Sequence, residues 1–428
     1  PAKLAYFSDN YLTYEYSYIE VINDLDLNKK AWTPIEGFSG HFNGNEHTIK
    51  GLSINREENN IGLFSSIESA TFKDITLEEP YIYLYNWDYG DVGTLVGIDN
   101  GGSTLDNIHV INPDVTSTWW GGGIIGEGSG TTISNSTVVG GSIWARDWTT
   151  GGIIGGGSYL NINNSSVIGT YVYSEADSWD NRLGGIVGYI YGLSNTPNTI
   201  DNCIFDGEIE ATYNVAGGIT GIAAGVVDIS NTKVFGNISG QSQIGGIVGK
   251  SDTSEPMILN IINTINFASI EAPNLYGGFI GDGTPGTATI INSSNVGDIV
   301  GTEFENQIIG SGTANYTTTD VFPEIIFMSE GNVDDIQVIN TPEGHFFRGK
   351  LEVGLSESFT IEFATRPNFD IYYDGEFLVE DDDYTIVGNE ITVLSLPAEG
   401  VHKLIFTTRE ADSNLNASLA VTMAPFAT

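Results

Sequence analysis

Cysteine and basic residues are scarce in this chain. Its 428 residues include one cysteine, Cys203, so neither an internal disulfide nor a cysteine-based metal site can form. The 15 lysine and arginine residues are outnumbered by 55 aspartate and glutamate residues, which gives a formal net charge of −40. Because so acidic a surface repels phosphate groups, we expect no binding to nucleic acids or to anionic membranes.

Charged residues of both signs and long apolar runs are also infrequent. Only 16% of the residues are charged, whereas about 25% is usual in globular proteins. Serine, threonine, asparagine and glycine must therefore supply much of the polar surface, a composition typical of extracellular bacterial β-proteins. No apolar run approaches the roughly 18 residues that indicate a membrane-spanning helix. We expect an extracellular or cell-surface protein, monomeric and not inserted into a membrane.

Glycine, by contrast, is abundant, and it recurs in a regularly spaced motif. The 54 glycines include copies of a motif whose fullest form is Gly-Gly-Ile-Val-Gly. The copies recur about every 30 residues, at positions 93–97, 122–126, 151–155, 184–188, 217–221, 245–249 and 277–281, and the motif fades at 308–310. Such regular spacing is the sequence signature of a repeat architecture.

A second motif, an isoleucine followed two residues later by asparagine, comes after most of the glycine motifs. It occurs at 132–135, 161–164, 199–202 and 228–231, and a short β-branched segment comes next. Each period therefore holds about three short strands, without helical periodicity. This pattern predicts an all-β fold, a parallel β-solenoid of about nine coils. We expect the glycines to allow close backbone packing and the asparagines to form an inward ladder.

The glycine motifs resemble the GLUG-motif repeats of bacterial surface and adhesin-like proteins. Residues 22–27, 32–35 and 42–52 resemble the lead-in coils that usually precede such repeats. The resemblance covers about residues 20–315 and implies a right-handed parallel β-helix exposed outside a bacterial cell. It implies little about the ligand, because these repeats occur in adhesins, in polysaccharide-associated proteins and beside peptidase domains. The zinc-peptidase sequence His-Glu-x-x-His of some relatives is absent.

The composition predicts three segments. Residues 1–40 are rich in tyrosine and fit an N-terminal cap, and residues 41–322 hold the β-helix. In residues 323–428 the glycine spacing is lost and alternating apolar patterns predict a β-sandwich. Part of this last segment, from Tyr373 to Phe406, resembles the X2-type immunoglobulin-like modules of secreted polysaccharide-degrading systems, in which the module is mostly a spacer or surface accessory.

No cofactor or metal site is predicted. The five histidines lack metal-ligand spacing, and Cys203 occupies a strand position where we expect it to be buried and unreactive. The run Asp381–Asp383 offers carboxylates for Ca²⁺ but lacks the spacing and the glycine of an EF-hand loop. We interpret this run as a solvated acidic turn.

The tryptophans are concentrated in one part of the chain. Six of the seven fall between residues 87 and 179, ahead of the glycine motifs, and Arg146 and Arg182 are the only basic residues between Lys73 and Lys233. By their distances from the glycines, Trp119 should stack on Trp148, and Asp147 should lie opposite Asp180 on a neighbouring coil. The predicted ligand-binding residues are Trp87, Trp119, Trp120, Trp144, Trp148, Trp179, Arg146, Asp147, Asp180 and Arg182.

Three interpretations of this aromatic stripe stay open. The tryptophans could pack on one another as a satellite cluster. They could instead bind a glycan, whose C–H faces stack on aromatic rings while arginine and carboxylate groups bond its hydroxyls. In a catalytic version, Asp147 and Asp180 would form a glycosidase pair, or Arg146 and Arg182 would serve a lyase. We therefore predict an adhesin-like glycan-binding protein, with a polysaccharide-active enzyme and a passive stalk as alternatives.

Overall fold

A computed structural model of the chain shows that most of it is a parallel β-solenoid. Within the described residues the only helical residues are 3–5, and no helix is long and apolar enough to cross a membrane. The structure describes residues 3–5, 17–57, 59–84, 90–174, 181–192, 196–212, 215–273, 276–291, 293–295, 297, 299–300, 309–311, 315–319, 325–327, 333–341, 344–353, 357–362, 369–373, 376–380, 383–387, 390–393, 400–408 and 420–425.

Three parallel sheets run along the solenoid. Sheet 1 is the largest, because each coil contributes up to three of its 25 strands. Its strands are Tyr18–Glu20, Leu25–Asp26, His41–Asn43, Thr48–Lys50, Ser53–Arg56, Thr71–Glu78, Tyr81–Leu84, Thr104–Ile111, Asp114–Ser117, Thr132–Ser134, Thr137–Val139, Ser142–Ala145, Asn161–Asn163, Ser166–Ser174, Asn198–Asp201, Ile204–Ala211, Val226–Ser230, Lys233–Gly240, Met257–Ile262, Ile265–Asn266, Ser269–Glu271, Gly286–Ile291, Ser294–Asn295, Ile299–Val300 and Asn315–Thr319.

The other two sheets contain the glycine motifs. Sheet 2 has nine strands, one per coil, which corresponds to about eight turns from first to last: Phe64–Ile67, Val96–Asp99, Ile125–Ser129, Ile154–Ser158, Val187–Ile190, Thr220–Ala223, Val248–Ser251, Ile280–Asp282 and Ile309–Ser311. Sheet 3 has seven strands: Asp91–Gly93, Trp120–Gly122, Thr149–Gly151, Arg182–Gly184, Val215–Gly217, Ile244–Gly245 and Tyr276–Gly277. The predicted all-β solenoid is thus confirmed; its right-handedness stays a prediction.

The glycines of the motif sit where two backbones leave no room for a Cβ atom. In the copy at 122–126, a Cβ on Gly122 would lie 1.9 Å from the carbonyl oxygen of Ile125, and one on Gly126 would lie 2.5 Å from the Val92 nitrogen in sheet 3. None of the glycines in this copy has positive φ. Close backbone approach, rather than an unusual backbone conformation, therefore requires glycine here, as the spacing predicted.

The predicted inward asparagine ladder is instead directed outward. Its members adopt φ values of 50–57° at a corner of sheet 1: Asn107, Asn135, Asn164, Asn202, Asn231 and Asn263. Bonds between coils do form, since the exposed Asn202 donates its Nδ2 to Oδ1 of Asn164 at 2.7 Å. Asparagine is tolerated at positive φ because its short polar side chain bonds locally, and this corner turns the amide away from the core.

A row of small side chains lies inside the asparagine corner. Ser136, Ser165 and Thr232 each donate a hydroxyl to the backbone carbonyl two residues earlier. Cys203 occupies the same position in its coil and is fully buried. Burial raises the pKa of its thiol to about 12, so the reactive thiolate is scarce at neutral pH. The prediction of a buried Cys203 is confirmed.

The chain divides into two compact units, one formed by residues 1–291 and 297–318 and the other by residues 292–296 and 319–428. From Ile325 onward, the described strands of the second unit pair antiparallel in two sheets. One contains Ile325–Phe327, Val333–Thr341, Gly344–Val353, Phe369–Tyr373, Glu376–Leu378 and Gly400–Thr408; the other contains Glu357–Glu362, Tyr384–Val387, Glu390–Val393 and Ala420–Pro425. The immunoglobulin-like topology and the boundaries at 40/41 and 322/323 stay predictions, and Asp381 and Asp382 lie outside the described residues.

Replacing Gly122 by alanine should lower the free energy of unfolding by about 1–3 kcal/mol, the range for overpacked sites. The reason is the 1.9 Å approach of the added Cβ to a backbone carbonyl, which cannot rotate away. Thermal unfolding followed by circular dichroism measures the effect. Gly192→Ala is the matched control, because its Cβ would have no neighbour closer than 3.6 Å. Equal melting temperatures for the two variants would contradict this account of the motif.

Candidate functional site

The described members of the predicted stripe lie around the corner between sheet 1 and sheet 3. Trp87, Trp179 and Asp180 lie outside the described residues, so the opposition of Asp147 and Asp180 stays a prediction. The other predicted residues do not form one continuous stripe. They separate into a stack at the corner, a buried indole beside sheet 2, and a patch on sheet 1. Asp147 belongs to none of these groups and is half-buried between the strands Ser142–Ala145 and Thr149–Gly151.

The corner stack consists of Trp119, Trp148 and Arg182. The two indole rings lie 4.0 Å apart at 18°, which confirms the predicted stacking. Backbone pairing sets this register, since Thr149 donates to the Trp119 carbonyl and Arg182 to the Trp148 carbonyl, both at 2.9 Å. The Arg182 guanidinium lies 4.8 Å from the centre of the Trp148 ring. Trp148 thus packs against both an aromatic ring and a cation.

Trp120 is a buried packing residue. Its side chain is only 8% exposed and lies against Gly156, the glycine that leaves space for the ring. Tyr189 stacks on it at 5.9 Å and 16°, and Tyr191 lies 5.8 Å away. These partners come from later coils, so the sequence offers no sign that Trp120 turns away from Trp119. Trp120 is therefore unsuited to direct contact with a ligand.

The sheet patch is formed by Tyr83, Trp144, Arg146, Tyr171 and Tyr173 on the outer face of sheet 1. Trp144 and Tyr173 are 5.8 Å apart and within 3° of parallel, and Tyr171 and Tyr173 are 4.4 Å apart at 9°. The Arg146 guanidinium lies 5.3 Å from the ring centres of both Tyr83 and Trp144 and donates to the Tyr83 hydroxyl. All five side chains are half-buried. Three parallel rings and a cation thus share one surface.

Carboxylates border the sheet patch. The Tyr171 hydroxyl donates to Glu210 on the next coil, and burial together with this carboxylate raises the pKa of Tyr171. Glu208 pairs with Tyr171 across the strands, and Asp114 lies two coils earlier in the same row. The three tyrosines of the patch were not among the predicted site residues. One feature of the sequence could have indicated them: Tyr83 and Tyr173 occupy the same place in their coils as Trp144, near the end of the last sheet 1 strand.

An acid pair between sheets 2 and 3 was also not predicted. Asp91, at the start of a sheet 3 strand, is 7% exposed. Burial and the neighbouring Glu127 carboxylate, which is within hydrogen-bonding reach, raise the pKa of Asp91 to about 8. Glu127 also accepts a hydrogen bond from the Tyr191 hydroxyl. Asp91 and Glu127 thus form a buried acid pair in which Asp91 keeps its proton at neutral pH.

Among the described residues, no three histidine, cysteine or acidic side chains are grouped to hold a metal ion. Of the histidines, His109 contacts Thr137 and Asn107 at 2.8 Å through its two ring nitrogens. Those contacts hold the imidazole on the surface of sheet 1.

No protein-family model and no curated protein sequence matches the chain. The resemblance to GLUG-motif repeats therefore stays a prediction. Among solved structures, a putative immunoglobulin A1 protease from Bacteroides ovatus is similar, with 16% identity, a TM-score of 0.39, and coverage of 71% of this chain and 77% of that one.

Two phage tailspikes are also similar. One is tailspike gp49 of Acinetobacter baumannii bacteriophage Fri1, a capsular polysaccharide depolymerase, at 8% identity and a TM-score of 0.24, covering 94% of this chain and 88% of that one. The other is tailspike protein 4 of bacteriophage CBA120, at 12% identity and a TM-score of 0.23, covering 99% and 66%. These likenesses concern the fold alone.

The acid pair predicts an unusual dependence of stability on pH. Between pH 4 and pH 8 the folded chain keeps the Asp91 proton that the unfolded chain loses, since the pKa rises from 3.8 to about 8 on folding. The ionisation of Asp91 therefore lowers the free energy of unfolding as pH rises through this window. The total loss is about 1.4 kcal/mol for each unit by which the folded pKa exceeds the unfolded pKa. Asp91→Asn removes this term, so its melting temperature relative to wild type should rise between these pH values.

Thermal unfolding at both ends of this pH window measures the difference. Asp114→Asn is the control, because Asp114 is exposed on the outer face of sheet 1 and is not a member of the buried acid pair. Glu127→Gln should also reduce the pH dependence, because it removes the negative charge that raises the pKa of Asp91. A constant difference between Asp91→Asn and wild type across the window would show that Asp91 ionises normally.

Proposed function

We propose that this chain is an extracellular, adhesin-like binding protein that recognises a glycan through the sheet patch. The observation that carries the proposal is the set of nearly parallel rings of Trp144, Tyr171 and Tyr173 on the outer face of a β-sheet. Sugar rings present apolar C–H faces that pack on aromatic side chains, and their hydroxyls need polar partners. Arg146 and Glu210, at the two sides of the rings, supply such partners.

The sheet patch supports binding better than the corner stack does. In the corner stack the Trp148 ring lies 4.0 Å from the Trp119 ring and 4.8 Å from the Arg182 guanidinium, whereas the ring centres of Trp144 and Tyr173 in the sheet patch are 5.8 Å apart. The sheet patch instead lies on a strand surface whose alternate side chains form the core, so its rings project from a rigid support. Rigid aromatic side chains lose little conformational entropy on binding. The glycine repeat, which resembles GLUG motifs, supports the adhesin-like part of the proposal.

Truncating the patch should abolish most glycan binding. Trp144→Ala and Tyr173→Ala should each raise the dissociation constant for a bound glycan at least about tenfold, which corresponds to a loss of about 1.4 kcal/mol. The ligand is first found by screening the wild-type chain on a glycan array and by affinity electrophoresis in polysaccharide gels. Titration calorimetry of each variant then gives the change in affinity.

Two variants separate binding from general packing. Tyr18→Ala removes an aromatic side chain that is 58% exposed and lies on the first described strand of sheet 1, so it should leave binding unchanged. Trp148→Ala should lower the melting temperature, because it breaks the corner stack, but should leave the affinity close to wild type. Loss of binding in Trp148→Ala alone would move the site to the corner stack. Depolymerisation of a polysaccharide by the wild type would favour an enzyme, and absence of any glycan binding would favour a stalk.

A further inference from the structure

Two rows of side chains run along the axis of the solenoid on the outer face of sheet 1. In each row one residue comes from each coil, in unbroken register. The first row contains Tyr83, Thr116, Trp144, Tyr173 and Glu210, and the second contains Tyr81, Asp114, Ser142, Tyr171 and Glu208. The residues between the rows are Ile82, Val115, Ile143, Val172 and Ile209, all fully buried. Strand alternation therefore directs both rows away from the core.

The first row offers a contact on every coil. Rings occupy three of its positions, at Tyr83, Trp144 and Tyr173. Thr116, the fourth, is only 6% exposed, and the Arg146 guanidinium spans that coil because it lies 5.3 Å from the rings on either side, Tyr83 and Trp144. The aromatic part of the row is followed by the exposed carboxylate of Glu210, beyond which the row continues with Ser239, and it is preceded by Asn55. A ligand that follows the row would thus meet a ring, a cation, two more rings and an acceptor in order.

The spacing of the coils selects the shape of the ligand. Adjacent strands lie about 4.8 Å apart, so the five positions span roughly 19 Å. A pyranose unit in an extended polysaccharide has nearly the same length as this strand spacing, so successive sugars can face successive coils. Because a sheet face contacts only one side of a ligand, each contact is weak, and affinity must accumulate along the chain of sugars.

The charge around the rows selects against an anionic ligand. Asp114, Glu208 and Glu210 all lie in the two rows, and the chain as a whole carries a net charge of −40. Like charges brought together at an interface oppose binding. Within the sheet patch the one basic residue is Arg146, and its guanidinium lies over two rings. A neutral glycan avoids this repulsion.

We propose that the ligand is a neutral, unbranched glycan in an extended conformation, lying along the solenoid axis with one sugar facing each coil. This inference rests on the proposed function and adds to it the class and the direction of the glycan. It requires a specific relation between ligand length and affinity: each added sugar should strengthen binding several-fold until the glycan covers the five positions from Tyr83 to Glu210, at about five sugars.

Titration calorimetry with neutral β-linked oligosaccharides, from the dimer to the octamer, tests this relation in the full chain. The dissociation constant should fall with each added sugar and level off near the pentamer. Glu210→Gln removes charge at one end of the row, so it should weaken the long oligosaccharides and leave the trimer unchanged. Trp144→Ala, in the middle of the row, should weaken every length. Glu68→Gln, an exposed carboxylate outside the rows, is the matched control for Glu210→Gln.

Several outcomes would overturn the inference. If neutral glycans bind with an affinity that does not depend on length, or if Glu210→Gln weakens all lengths equally, the axial arrangement is wrong while glycan binding itself stands. Tighter binding of a polyuronic acid than of its neutral counterpart would overturn the choice of a neutral ligand. Absence of binding to any glycan would remove both this inference and the proposed function. Melting temperatures of the variants establish that each is folded.

Discussion

The close approach of sheet 2 to sheet 3 is the constraint on which the rest of the solenoid depends. At each glycine motif the chain leaves sheet 3, turns, and enters sheet 2 with its backbone against that of the preceding coil. A Cβ on Gly126 would lie 2.5 Å from Val92, and one on Gly155 would lie 2.8 Å from Gly121. Contacts this short are incompatible with any side chain, so the motif repeats in nearly every coil. The sharp corner it creates then positions sheet 1 to present a long outer face.

The stacking of coils brings together residues that are far apart in the sequence. Neighbours along a row are about one repeat apart, as Trp144 and Tyr173 are, and the rings still lie parallel. A linear periodicity in the sequence thereby becomes a linear array of side chains in space. This property suits a solenoid to ligands that are themselves repetitive, and it underlies the glycan proposed for the sheet patch.

The aromatic residues of one region lie in two different environments. Trp119, Trp120 and Trp148 pack against other rings or against Arg182, where apolar area and cation–π contact stabilise the corner. Trp144 instead lies on the outer face of sheet 1 with Arg146 and Tyr173. A concentration of tryptophan in the sequence is therefore not by itself a binding site. The direction in which each side chain leaves its strand decides whether it packs at the corner or lies on the outer face of sheet 1.

The sequence by itself determined the solenoid, the length of its repeat and the stacking of Trp119 on Trp148, because each follows from spacing along the chain. It also predicted that Cys203 is buried, although this residue lies between the strands Asn198–Asp201 and Ile204–Ala211 and not in a strand. Only the tertiary structure decided which way side chains point at the corners: it turned the asparagines outward and buried Trp120 beneath Tyr189. It also paired Asp91 with Glu127 on different sheets. These outcomes depend on contacts between coils and between sheets, and spacing along one chain does not specify the angles at which those elements meet.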